Sequence, residues 1–257
     1  MTRTLLACSA FVLAFTAHAD VTIHTTATGK GFGISGSMKS STYIKGLRMR
    51  ADTTAGNKQL STIYDVDAQK MYVLDVENKK AKVWDMAAFS AELSSRVSPE
   101  GTQASMKANG QTKTVSGQNT DGYDIAIVVP TVVAGMEMTI HLNGTTWIAK
   151  GVPGSADYAA FYQGAAEKGW IFSDPRSAEG APGQAKAMAQ MYTEFAKIGG
   201  LPLETVMDIK PEGGGAMGGI MAKVGGMQTT TTTDSVETGA LADDLFQVPA
   251  DYEIEQQ

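Results

Sequence analysis

Residues 41 to 86 constrain the fold most. Four short runs alternate apolar and polar residues, and three polar turn segments separate them. Leu60, Thr62, Tyr64 and Val66 share one face of a run. Tyr43, Leu47 and Met49 alternate with Ile44, Arg48 and Arg50. Met71 to Val76 and Ala81 to Trp84 repeat the period, divided by Glu77-Asn78-Lys79, and Asp67-Ala68-Gln69 makes the turn before them. A period of two with turns this short predicts hairpins, hence an antiparallel β-meander. The stretch holds no set of residues able to do chemistry.

The rest of the chain extends the pattern. Asp85 is placed to cap a helix with apolar positions at Phe89, Leu93 and Val97. Pro99 to Gly117 is polar, with Gly101 and Gly110, and reads as a loop. Tyr123 to Val129 is nearly continuous in apolar residues and reads as a central strand. Met136, Met138, Ile140 and Leu142 alternate with Glu137, Thr139 and His141. Asn143-Gly144 then predicts a tight hairpin turn, with Thr145 to Val152 as the returning strand. Ser155 is the expected cap of a second helix, with Asp157 in its first turn and a stripe of Tyr158, Phe161, Tyr162, Ala165 and Gly169. Ser173 to Gly183 reads as a Pro/Gly loop. A third helix carries Ala185, Met188, Met191, Tyr192 and Phe195 and stops at Gly199-Gly200, with Pro202 beyond. Val21 to Thr28, Leu203 to Ile209 and Thr229 to Val236 are strand candidates, and the segment after Pro249 is a polar tail. The expected fold class is therefore α+β: a curved, mostly antiparallel sheet with about three helices covering one face.

The N-terminus reads as an export signal. Arg3 supplies a positive start, Leu5 to Phe15 an apolar run, and Ala17-His18-Ala19 a small-x-small cleavage site. Residues 1 to 19 are expected to be removed after Ala19, leaving residues 20 to 257 as one domain in the periplasm. Leu5-Leu6-Ala7-Cys8 also fits a lipoprotein cleavage box, but the apolar run continues past Cys8. Cys8 is the only cysteine, so cleavage after Ala19 leaves no disulfide, thiolate nucleophile or thiolate metal ligand. The net charge is −6, and loss of Arg3 makes it one unit more negative. Such a chain is not built to hold nucleic acid or an anionic membrane electrostatically, and no later segment is long and apolar enough to span a bilayer.

A resemblance adds to this reading. It rests on Tyr43-Ile44-Lys45-Gly46-Leu47-Arg48-Met49-Arg50, Ile63-Tyr64-Asp65, Met71-Tyr72-Val73-Leu74-Asp75, Val83-Trp84, the strand from Pro202 to Val206 and the run from Leu245 to Tyr252. With these residues the chain resembles exported bacterial domains of unknown function related to the LolA/LolB-like lipoprotein-carrier fold. The resemblance implies an incomplete antiparallel barrel with a helical lid, and an acyl chain or other apolar ligand between the two. It implies no catalytic residue. The segment from Gly213 to Gly226 has no counterpart in it.

Motifs that could carry other chemistry are weak. Gly31-Phe32-Gly33-Ile34-Ser35-Gly36 matches GxGxxG, but a strand-like run follows where a dinucleotide site needs a helix. Asp65-Val66-Asp67 starts like a calcium loop, yet Lys70 and Val76 stand where glycine and glutamate are needed. Neither His24 nor His141 has a metal ligand at useful spacing or a nucleophile motif. No cofactor is expected. The fourteen methionines, among them Met217, Met221 and Met227, suit core packing or a pliable apolar lining. Thioether binding of copper is a weaker alternative. The expected function is a non-enzymatic binding protein for a lipid or other hydrophobic ligand. The expected wall is Leu47, Met49, Tyr64, Met71, Val73, Phe89, Met138, Ile140, Tyr158, Phe161, Met188 and Tyr192. The alternative is an envelope scaffold with a filled core and a protein partner.

Overall fold

The computed structural model describes residues 20–31, 34–96, 102–133, 136–170, 182–213 and 225–257. Among them, twelve strands form one sheet that does not close, flanked by three helices. The meander is β1 (Val21–Gly31), β2 (Ile34–Lys45), β3 (Arg48–Ala55), β4 (Lys58–Asp65), β5 (Lys70–Asp75) and β6 (Lys80–Asp85). Helix α1 (Met86–Arg96) follows, then β7 (Gln103–Val115), β8 (Gln118–Val133) and β9 (Met136–Ala149). Helices α2 (Ser155–Glu167) and α3 (Pro182–Ile198) precede β10 (Leu201–Gly213), β11 (Met227–Thr238) and β12 (Glu253–Gln256). The spatial order is β12-β6-β5-β4-β3-β2-β1-β11-β10-β9-β8-β7, and every pairing is antiparallel except β12 with β6. Pairing of β1 with both β2 and β11 therefore joins the β1–β6 meander to a second run of strands, β11-β10-β9-β8-β7.

The meander turns are built as their residues predict. Asp65 Oδ1 accepts the Ala68 N–H at 2.8 Å, and Asp75 Oδ1 accepts the Asn78 N–H at 3.0 Å. These carboxylates close turns by Asx-type hydrogen bonds. Val21, Ile44, Met49, Tyr64, Met71 and Trp84 are cross-strand partners in one row, so one face of the half-sheet is apolar. The helices pack on that face. Asp85 caps α1 as expected, accepting the Ala88 N–H at 2.9 Å.

The structure corrects five expectations. Within the expected loop from Pro99 to Gly117, Gln103–Val115 is instead β7, the sheet's outer strand, and residues 99 to 101 lie outside the described residues. The strand's core-facing residues Ala104 and Met106 are only half-buried, and a register shift between Ala108 and Thr112 breaks the alternation. At the shift, Asn109 Oδ1 accepts the Gln111 N–H at 2.9 Å and Gly110 has φ 74°. Asn143-Gly144 is not a turn. Strand β9 runs straight through it, because residues on both sides hold one continuous register with β8 and also pair with β10. Gly154, at φ 77°, and not Ser155, is the N-cap of α2, and no side chain caps that end. Gly169 is not part of the α2 stripe; it lies beyond the helix at φ 67°. Finally, the polar tail contains β12, a parallel strand on β6. The expectations for Val97 and for most of Ser173 to Gly183 lie outside the described residues, whereas Pro182 and Gly183 open α3.

Candidate functional site

The face where the helices meet the sheet holds most of the predicted wall. Met49, Met71, Val73 and Phe161 are buried in the largest core cluster, with Leu47, Tyr64, Phe89, Tyr158 and Tyr192 packed on it. Ile140 and Met188 pack on a second cluster, in which Ala187 and Met191 of α3 lie on Ile125, Ile127 and Val129 of β8. Met138 stands apart. It is buried, but it lines an open groove of about 740 Å³ with His141 and Glu212.

Close backbone approach seats α2. A Cβ at Gly154 would come within 2.5 Å of Val21, and one at Gly164 within 2.5 Å of Leu47. The helix ends in a Schellman motif: Gly169 N–H donates to Ala166 O at 3.0 Å and Trp170 N–H to Ala165 O at 2.9 Å. That motif folds Trp170 back under the helices, where it is 3% exposed.

Between α2 and α3 the contacts are aromatic. Tyr162 stacks on Tyr192 with centroids 5.2 Å apart and planes 6° from parallel. Tyr158 meets Phe195 edge-on at 5.6 Å, and Phe161 meets Tyr162 edge-on at 5.3 Å. Tyr158 and Tyr162 are hydrogen-bonded to each other. Burial pushes the Tyr158, Tyr162 and Tyr192 phenols above their ordinary value of 10.0. A raised phenol favours the folded state at pH values below the ordinary phenol value, and that stability is lost as pH rises above it. The urea midpoint is therefore expected to fall steeply above about pH 10. Tyr192→Phe is expected to flatten the fall, and a wild-type midpoint unchanged across that range would refute the coupling.

A cavity of about 240 Å³ opens among the three helices. Leu93 of α1, Ala166 of α2, Ala189 of α3 and Trp170 form its apolar walls, and Ser90, Lys186, Gln190 and Thr193 also line it. Leu93 is buried against Ala185, with Phe89 and Ala189 beside them. None of the twelve predicted wall residues lines this space. Trp170 was legible in principle, since an apolar residue straight after a C-terminal glycine is part of the Schellman signature.

The other candidates resolve into ordinary structure. Gly31 ends β1 and Gly36 lies in β2, so a strand follows the glycine motif and no helix begins there. His24 Nδ1 is 2.8 Å from Ser41 Oγ, and His141 Nε2 is 3.1 Å from Glu212. Among the described residues no group of three or more His, Cys, Asp or Glu could hold a metal ion, and no helix is long and apolar enough to cross a membrane.

No family model matches the chain, and no curated protein does. Solved structures that it is similar to include PNGF-II, at 13% identity over 92% of this chain and 31% of that one, with a TM-score of 0.38. A LolA superfamily protein from Nitrosomonas europaea is 7% identical over 90% of this chain and 91% of its own, with a TM-score of 0.30. A DUF1329 family protein from Desulfovibrio piger is 9% identical over the same 90% and 91%, also with a TM-score of 0.30. The chain thus spans about a third of the length of PNGF-II. At these TM-scores the likeness transfers no activity, ligand or partner.

Proposed function

We propose that the chain is a non-enzymatic, exported binding protein of the periplasm, with residues 20 to 257 as one domain. Its ligand is a lipid, an acyl chain or another apolar molecule, held by one end among the helices that cover the sheet. The observation that carries this reading is the cavity among α1, α2 and α3, with walls of Leu93, Ala166, Ala189 and Trp170. At about 240 Å³ it is just smaller than the range for drug-sized ligands, which starts near ~300 Å³. It suits one chain end, and each buried methylene contributes ~0.8 kcal/mol. Lys186, Ser90 and Gln190 leave a polar group of the ligand somewhere to hydrogen-bond.

The test is uptake of a fluorescent fatty acid by the purified chain, with native mass spectrometry for co-purifying lipid. Saturable uptake is expected. Ala189→Trp fills the cavity and is expected to weaken uptake about tenfold, the loss of one or two buried methylenes' worth of contact. No uptake by the wild type, or equal uptake by both proteins, would sink the reading.

A second reading is favoured by a different observation. Met49, Met71, Val73 and Phe161 are each at most 5% exposed and pack together where the acyl chain was expected. That filled interior supports an envelope scaffold that meets a protein partner and holds no ligand.

A further inference from the structure

The outer face of β4, β5 and β6 carries a second apolar strip, Ile63, Leu74 and Ala81, and the tail covers it with Val248 and Tyr252. Beyond Tyr252 the tail becomes β12 and pairs in parallel with β6. Glu253 N–H donates to Lys79 O and Gln257 N–H to Val83 O, both at 2.9 Å. Charge follows the same path. Lys79 pairs with Asp251 at 2.7 Å, and Lys80 with Glu255 at 2.7 Å and Glu253 at 3.4 Å. Upstream, Arg48 pairs with Asp243 at 2.7 Å and lies over the Phe246 ring, 5.4 Å from its centroid. These pairs hold the Asp251 and Glu255 carboxyls below, and the Lys79 and Lys80 ammoniums above, their ordinary values.

The site is specific in chemistry but holds its occupant loosely. It selects an extended backbone through the β6 edge, apolar side chains through the strip and acids through the lysines. Yet β12 is four residues long, and Ile254 in it is 52% exposed. The Lys79 and Asp251 side chains are 63% and 58% exposed, so their pair is weak and is screened by salt.

We propose that the β6 edge is a docking site for an extended acidic segment of a partner protein, and that the chain's own tail fills it as a displaceable competitor. Binding is strand addition, with backbone hydrogen bonds giving affinity and the lysines giving sign selectivity. A tethered tail competes at an effective concentration on the order of mM, so an intact tail keeps weak partners out.

The test uses the full chain and a labelled peptide of residues 249 to 257, followed by fluorescence anisotropy. A variant with Glu253→Lys and Glu255→Lys weakens the tail and leaves the receiving edge unchanged. The peptide is expected to bind this variant at least ~10-fold more tightly than the native chain. Affinity is expected to fall by about tenfold between low salt and ~0.5 M salt. Adding Lys79→Glu and Lys80→Glu is expected to abolish binding. Equal affinity for the native and tail-weakened chains, no binding to the latter, or binding indifferent to Lys79→Glu and Lys80→Glu would each overturn the proposal. Hydrogen exchange on the native chain gives a check without variants: amides of residues 253 to 257 are expected to exchange well before those of β5, and equal protection would count against a displaceable tail.

Discussion

Gly144→Ala is expected to lower the unfolding free energy by about 3 kcal/mol or more, at the upper end for adding a single methyl group. A Cβ there would stand 2.0 Å from Val206 O and 2.9 Å from Met207 Cα. Both are backbone atoms of β10, so no side-chain rotation relieves the overlap. Strand β10 would have to move away from β9, and the register from Leu201 to Gly213 would loosen with it. Gly46→Ala is the control. Gly46 has φ 57° and nothing within 4 Å of a built Cβ, so only the left-handed backbone opposes the change, at about 1 kcal/mol. Urea midpoints of the two variants separate the cases. Had Asn143-Gly144 been a hairpin turn, the two substitutions would cost about the same, and that outcome would refute the register described for β9.

The same dipeptide shows where the sequence was legible and where it was not. Asn-Gly is a strong local turn signal, but turn propensity is worth a few kcal/mol at most, and here two neighbouring strands compete with it. The second reason for a glycine, room for a neighbouring backbone, looks identical in the sequence. The meander was readable because its turns are closed by their own residues, Asp65 with Ala68 and Asp75 with Asn78. Strand β7 was not, because an outer strand is packed on one side only. Its core-facing apolar residues are only Ala104, Met106 and Val115, and the bulge at Gly110 puts them out of a single period. Lys107 and Lys113 on that strand suit an edge that must not pair with another chain. The tail reads as polar because Glu253, Glu255 and Gln256 dominate it. Only the fold reveals that Lys80, at the far end of a hairpin, answers Glu253 and Glu255, and that its neighbour Lys79 answers Asp251. For the wall, alternation identified which residues turn inward but not whether they enclose space. Phe161 turns inward and is fully buried, whereas the space lies beside Trp170, where periodicity has nothing to say.

Phe161→Ala is expected to cost about 3–5 kcal/mol, because the ring is fully buried and its neighbours cannot all close in. Phe161 sits on α2 against the sheet's apolar row and meets Tyr162 edge-on, and Ala165, one turn further along, is equally buried. The surrounding side chains are held by other contacts: Tyr162 by its stack on Tyr192, and Leu47 by the close approach at Gly164. The hole therefore stays open, and Phe161→Leu, which keeps most of the volume, is expected to cost about 1.5 kcal/mol or less. Urea denaturation measures both. A loss below about 1 kcal/mol for Phe161→Ala would mean that α2 does not dock as described. The variant also separates the two functional readings. If the helix layer receives an acyl chain, a fatty acid at a hundredfold excess over its dissociation constant is expected to restore about 2.7 kcal/mol to the variant, and to stabilise the wild type as well. If the core is a filled scaffold, the fatty acid is expected to act on the variant alone, entering a hole that the native side chain had occupied.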